Sequence, residues 1–148
     1  MAGTLITLKS KFEAVVATIE PIKKFQFDDV SVLNGDSQAD FPLFLIKVPS
    51  PMFPKAGDAT NPGAQFEYQI YDIMAAVFMP EMSDDYHHWT ELVDNCQDLL
   101  RKVLMGVAAD RQNFVIIGNI PFTFGHYAHN QKLAYASSQF KLRMYYGC

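Results

Sequence analysis

Two stretches of the chain repeat apolar residues at the three- and four-residue steps of an amphipathic helix. The first is residues 5–19, and Pro21 ends it because proline cannot continue a helix. The second is residues 89–107, preceded by Ser83, a residue type favoured at the helix N-cap. The pattern therefore predicts two helices, of which the second is longer.

Other stretches alternate apolar with polar residues or are apolar throughout, as β-strands are. In the last stretch, Lys141 and Arg143 alternate with apolar residues, which predicts an antiparallel strand with one polar face. The Asn34-Gly35 turn favours pairing of the first two strands as a hairpin. The predicted strands are residues 25–33, 41–48, 66–78, 113–120 and 133–146.

Two segments between these elements are predicted to be loops. Residues 49–65 hold prolines at a density that prevents regular backbone hydrogen bonding, and we interpret them as an extended arm. Residues 121–130 form an aromatic-rich loop. Loops as long as the first are uncommon in compact domains and are usually functional or disordered, which makes the arm a candidate binding segment.

The order of elements predicts an α+β fold. We expect an antiparallel sheet of four to five strands, two helices packed on one face, and long extended loops. The short connections between most strands argue against βαβ crossovers. Residues 1–148 are expected to form a single domain, with residues 49–65 as its arm.

The aromatic content points to contacts with other proteins. The chain has 12 Phe, 7 Tyr and 1 Trp in 148 residues, more rings than one small core can bury. Some rings should therefore lie on exposed surface and contact partners, although scattered surface tyrosines are an equally good interpretation. The candidate subunit-interface residues lie at the tips of the two loops: Met52, Phe53, Pro54, Phe122, Phe124 and Tyr127.

The net charge and the cysteine content limit the partners and the cellular compartment that we expect for this protein. The net charge of −4 predicts no overall attraction to a phosphate backbone. Cys96 and Cys148 show no motif spacing, so we expect a reducing compartment. No signal peptide and no stretch of membrane-spanning length is found in the sequence, which predicts a protein made in the cytoplasm with no membrane partner.

The sequence offers little chemistry. Asp84 and His88 share one helix face and would need a third ligand to hold a metal, while His126 and His129 lack neighbouring acidic or thiol ligands. Cys96 falls on the buried stripe of a helix, where thiols are usually inert. No nucleophile elbow and no phosphate-binding glycine loop is present. The sequence therefore predicts no enzyme activity, no cofactor and no metal.

The order of these features resembles the tail-completion, or tail-terminator, proteins of tailed bacteriophages and their relatives among neck and head–tail connector rings. A short amphipathic helix opens the chain, and a hairpin follows whose second strand starts with Phe41-Pro42-Leu43-Phe44. A long strand, a long helix containing Asp94-Asn95-Cys96-Gln97, and an alternating C-terminal strand complete the pattern. The arrangement is most similar to versions from phages of Bacteroidetes hosts, including the crAss-like group.

The resemblance implies a structural virion protein. Copies of the chain would form a ring of six or twelve at the neck or tail, next to portal, connector or tail-tube proteins, and DNA would pass through without specific binding. The acidic balance would suit such a channel. Residues 49–65 are longer than the family hairpin requires, and we interpret them as an arm that grips a neighbour. The protein would enter the virion after assembly in the host cytoplasm.

Two other functions stay open from the residues alone. One is a small soluble binding module whose aromatic loops hold a ligand. The other is a metal-dependent enzyme using Asp84 and His88. The oligomeric state separates the ring from the binding module, and metal analysis of the purified protein tests the enzyme.

Overall fold

A computed structural model of the protein describes residues 5–28, 41–48, 51–52, 68–80, 89–118, 121–127 and 130–145. Two helices lie within these ranges, α1 at Leu5–Ala17 and α2 at Trp89–Ala108. Both predicted helices are confirmed, and α1 ends before Pro21 as expected. Ser83, the predicted N-cap of α2, lies outside the described residues.

Within the described ranges the sheet has seven strands, built around two long ones. The strands are β1 (Lys24–Phe27), β2 (Leu43–Lys47), β3 (Pro51–Met52), β4 (Tyr68–Pro80), β5 (Phe114–Ile117), β6 (Phe122–Tyr127) and β7 (Asn130–Tyr145). The main path is β1-β2-β4-β7-β5, with β3 added beside β4 and β6 beside β7. The antiparallel pair of β4 and β7 runs from Tyr68 opposite Tyr145 to Pro80 opposite Leu133, and it forms the axis of the fold.

Both helices cover the same face of the sheet, which we call the helix side. One continuous buried cluster joins Leu8 and Phe12 of α1 and Leu100 of α2 to Ile73 of β4 and Leu142 of β7. Ring stacking adds to it, since Phe12 lies 6.1 Å from Phe44. This arrangement confirms the α+β class with both helices on one face.

The opposite face, which we call the open sheet face, carries a smaller cluster at one end. Leu43, Leu45, Ala76, Phe78 and Leu133 are buried there. Because successive side chains of a strand alternate between faces, the other even-numbered residues of β4 and odd-numbered residues of β7 share this face. The half-buried C-terminal strand is thereby confirmed.

The predicted hairpin between the first two strands is wrong. β1 and β2 pair in parallel, with Phe25 beside Phe44 and Phe27 beside Ile46. Parallel neighbours need a connection of about a dozen residues or more, and 15 residues separate Phe27 from Leu43. The local turn signal at Asn34-Gly35 lies outside the described residues.

Two predicted loops contain strands. Residues 122–127 of the predicted aromatic loop form β6, because β7 is long enough to pair with β5 along one half and with β6 along the other. Pro51–Met52 of the predicted arm pairs with Tyr71 and Ile70 of β4. The sheet is consequently mixed and larger than the antiparallel sheet of four to five strands that the pattern suggested.

The two helices approach each other closely at one glycine. A Cβ atom built on Gly106 of α2 would lie 2.5 Å from Cγ1 of Val15 of α1, so the absence of a side chain permits the contact. In the part of the chain that the structure describes, no helix is long and apolar enough to cross a membrane.

Candidate subunit interface

Strand β6 lies at one edge of the sheet. Its residues Phe122 to His126 pair with Ser138 to Ala134 of β7, and its other edge carries no strand among the described residues. Pro121 precedes it, which suits an edge strand because proline cannot donate a ladder hydrogen bond. A 2.7 Å hydrogen bond between the hydroxyls of Thr123 and Ser137 reinforces the pairing on the open sheet face.

Two phenylalanine side chains of β6 project to the helix side and are exposed. Phe122 lies opposite Ser138 and Phe124 opposite Ala136, a residue of the helix-side core. Phe122 is 39% exposed and Phe124 is 57% exposed. Burial of a phenylalanine ring away from water is favourable and lowers the free energy. Phenylalanine rings exposed together on an edge strand are therefore typical of a protein contact surface.

An exposed stripe of α2 flanks these rings. A shallow cleft separates the helix from β6, with Phe122 on one side and Asp94, Gln97, Asp98 and Arg101 on the other. Asp98 accepts hydrogen bonds from Lys102 at 3.0 Å and from Arg101 at 2.7 Å, and these cations lower the pKa of its carboxyl. The charges of the stripe therefore largely neutralise one another.

The helices expose further apolar side chains that the sequence analysis missed. Leu5 is 42% and Ile6 is 77% exposed at the start of α1, and Met105 of α2 is 63% exposed. Helix α1 packs next to β1, at the opposite end of the strand order from β6. The sequence does contain a sign of this exposure: Ile6 and Met105 lie outside the apolar stripe that each helix buries.

The structure places only part of the predicted interface. Phe122 and Phe124 come together on β6 as described above. Tyr127 ends the same strand, and Met52 lies in β3 opposite Ile70, on a different edge of the sheet. Phe53 and Pro54 lie outside the described residues. The contact of these residues with a partner stays a prediction.

Of the candidate chemical groups, His126 is exposed on β6, Cys96 is buried, and the others fall outside the described residues. Cys96 is buried between α2 and β7, where its Sγ lies 4.0 Å from the carbonyl oxygen of Ala134. Burial raises the pKa of the Cys96 thiol to about 12, which keeps it protonated and unreactive at neutral pH. Asp84, His88 and His129 lie outside the described ranges, and within those ranges no three metal-ligating side chains cluster.

The chain was compared with known protein families and with curated proteins, and it matches no family model and no curated sequence.

Proposed function

We propose that this protein is a structural subunit that assembles with copies of itself into a ring at the neck or tail of a tailed-phage virion. There it would join head to tail around the DNA channel, next to portal, connector or tail-tube proteins. The observation that carries the proposal is the exposure of large apolar side chains on two different surfaces, Phe122 and Phe124 on β6 and Ile6 on α1.

Two different apolar surfaces favour a ring over a symmetric dimer. In a symmetric dimer the same patch meets itself, whereas contact between two different patches is head-to-tail and closes into a ring when the rotation allows. The β6 edge of one subunit would contact α1 of the next. The family resemblance of the sequence supports a ring over an open filament.

Mixing two assembly variants tests this arrangement. Phe122→Ser/Phe124→Ser removes one patch and Ile6→Ser removes the other, so each variant alone should be monomeric while the wild type forms rings by native mass spectrometry and electron microscopy. An equimolar mixture should form dimers and no rings, because each mixed pair retains one intact contact.

The control is Thr123→Ser, which lies on the opposite face of β6 and preserves the hydroxyl that contacts Ser137. This variant should assemble like the wild type. A wild-type protein that stays monomeric at high concentration contradicts the ring and favours a small binding module. Variants that remain monomeric when mixed contradict the head-to-tail contact.

A further inference from the structure

We infer that the open sheet face binds the phosphate backbone of duplex DNA through Lys47, Lys141 and Arg143. The choice of DNA as ligand rests on the proposed function, in which DNA passes through the ring. This inference adds the surface that would face the DNA.

The three cations share the open sheet face. Lys141 lies opposite Asp72, Arg143 opposite Ile70, and Lys47 opposite Met74. These even-numbered residues of β4 have the same parity as Ala76 and Phe78, which are buried in the cluster on the open sheet face. The cations are therefore on the side of the sheet away from both helices.

No carboxylate of the described residues neutralises these three cations. Salt bridges on the helix side join Lys11 to Asp110, and Arg101 and Lys102 to Asp98. Lys141 is exposed and forms no salt bridge with Asp72 although the two are in register. Among the described strand residues, this face carries Lys47, Lys141, Arg143 and also Lys24, which lies opposite Leu43, against one carboxylate, Asp72, in a protein of net charge −4.

Arg143 is held in place by aromatic neighbours. Its guanidinium lies 4.6 Å from the centre of the Tyr68 ring, and its Nη1 donates a hydrogen bond to the Tyr145 hydroxyl at 3.4 Å. The Tyr68 ring in turn packs edge-on against Tyr145 at 5.6 Å. The Nε of Arg143 is buried and has no hydrogen-bond partner among the described residues. The Arg143 cation is therefore half-buried and held in place, and no described carboxylate neutralises it.

The spacing of the cations suits a polyanion. Strand geometry places Lys141 about 7 Å from Arg143 and about 12 Å from Lys47, measured between Cα positions. Each DNA strand carries one phosphate per about 3.4 Å of helix axis, so the three cations can meet phosphates of one duplex together.

The aromatic side chains of this surface favour a duplex over a single strand. Tyr68 is buried, and Tyr145 packs against it. Single-strand binding normally uses exposed rings on which bases stack, and the described residues of this face expose no large hydrophobic side chain. An acidic protein surface is the other possible occupant, but the described part of this face offers no exposed apolar anchor for a protein contact.

The test compares two variants that lose the same charge on different faces. Lys47→Gln/Lys141→Gln removes two cations from the open sheet face, and Arg101→Gln/Lys102→Gln removes two from the exposed side of α2. Binding of the full chain to a short labelled DNA duplex is measured by fluorescence anisotropy at about 20–200 mM salt, a range in which phosphate contacts are strongly salt-dependent.

For the wild type we expect log K to fall with log salt at a slope of about −2.7, which corresponds to three phosphate contacts. The sheet variant should show a slope of about −0.9 and bind more than about 100-fold more weakly at about 20 mM salt. The α2 variant should keep the wild-type slope. Absence of wild-type binding at low salt, or equal loss in both variants, overturns the inference.

Mass measurements on the same samples separate this inference from the proposed function. A wild type that forms no ring yet binds DNA through Lys47 and Lys141 supports the inference and contradicts the ring. A sheet variant that binds DNA normally while the wild type forms rings overturns the inference alone. A sheet variant with altered oligomeric state and unchanged DNA binding assigns the surface to an acidic protein partner and also overturns the inference.

Discussion

The helix side and the open sheet face share one sheet but differ in chemistry. The large apolar side chains exposed among the described residues all lie on the helix side, where Asp98 forms salt bridges with Arg101 and Lys102. The open sheet face exposes Lys141, and it holds Arg143 against the Tyr68 ring with no carboxylate partner among the described residues. This difference suggests two kinds of partner, protein on the helix side and a polyanion on the sheet.

The strand period explains how one sheet supports both surfaces. In β7, Leu142 and Met144 enter the core while Lys141 and Arg143 point away from it. A single sequence therefore encodes a buried face and a charged face at alternate positions. A change in one face need not disturb the other unless it reaches the common core.

The largest effect should come from removing a ring of that common core. Phe44 is fully buried and stacks with Phe12 at 6.1 Å and with Phe25 at 6.0 Å. We expect Phe44→Ala to lower the free energy of unfolding by about 3–5 kcal/mol in urea denaturation, because it leaves a cavity. Assembly and DNA binding should then be lost together on mild heating, because both surfaces depend on this core.

The exposed Phe122 provides the matched control for this variant. Phe122→Ala should lower the free energy of unfolding by less than about 1 kcal/mol, since the ring is partly in water already. Equal destabilisation by the two substitutions would show that β6 belongs to the core and would remove the distinction between core and contact surface.

An intermediate effect on the free energy of unfolding is expected from raising the pH, through Cys96, which is buried between α2 and β7. Burial raises the pKa of the Cys96 thiol to about 12 in the folded protein, above its ordinary value of 9.0, so above pH 9 the unfolded chain releases the thiol proton while the folded chain keeps it. The unfolded state then binds fewer protons, and stability falls as pH rises, by up to about 1.4 kcal/mol per pH unit. Below pH 9 this contribution is fully present.

Cys96→Ala isolates this contribution from other groups that titrate at high pH. The stability difference between wild type and Cys96→Ala should be constant below pH 9 and should shift against the wild type from pH 9 to pH 12, measured by urea denaturation. A difference that stays constant across this range would contradict a buried thiol in the folded protein.

The smallest stability effects should come from the contact surfaces themselves. Phe122→Ser/Phe124→Ser and Lys47→Gln/Lys141→Gln should each change the free energy of unfolding by less than about 1 kcal/mol. The phenylalanine variant should lose assembly and keep DNA binding. The lysine variant should lose DNA binding and keep assembly. Loss of both functions in either variant would mean that the two faces do not act independently.

Sequence reasoning located the helices and the buried sides of the strands because both depend on local periodicity. The stripe of α2 that includes Cys96 and Leu100 is buried as predicted, and so are the alternate residues of β7. Of the candidate site, sequence composition led to Phe122 and Phe124 but placed them in a loop. Ile6 and Met105 escaped attention because an exposed apolar residue is recognised only once the buried stripe is known.

The chain by itself determined the types and approximate positions of both helices and the long strands, since a period of 3.6 or 2 is written in neighbouring residues. Only the tertiary structure decided that β1 and β2 run parallel, that residues 122–127 form a strand, and that Lys47 shares a face with Lys141 and Arg143. Strand pairing joins residues far apart in the chain, and its partner and direction depend on which edge is free when the sheet assembles. Local sequence patterns therefore do not determine which strands pair or in which direction.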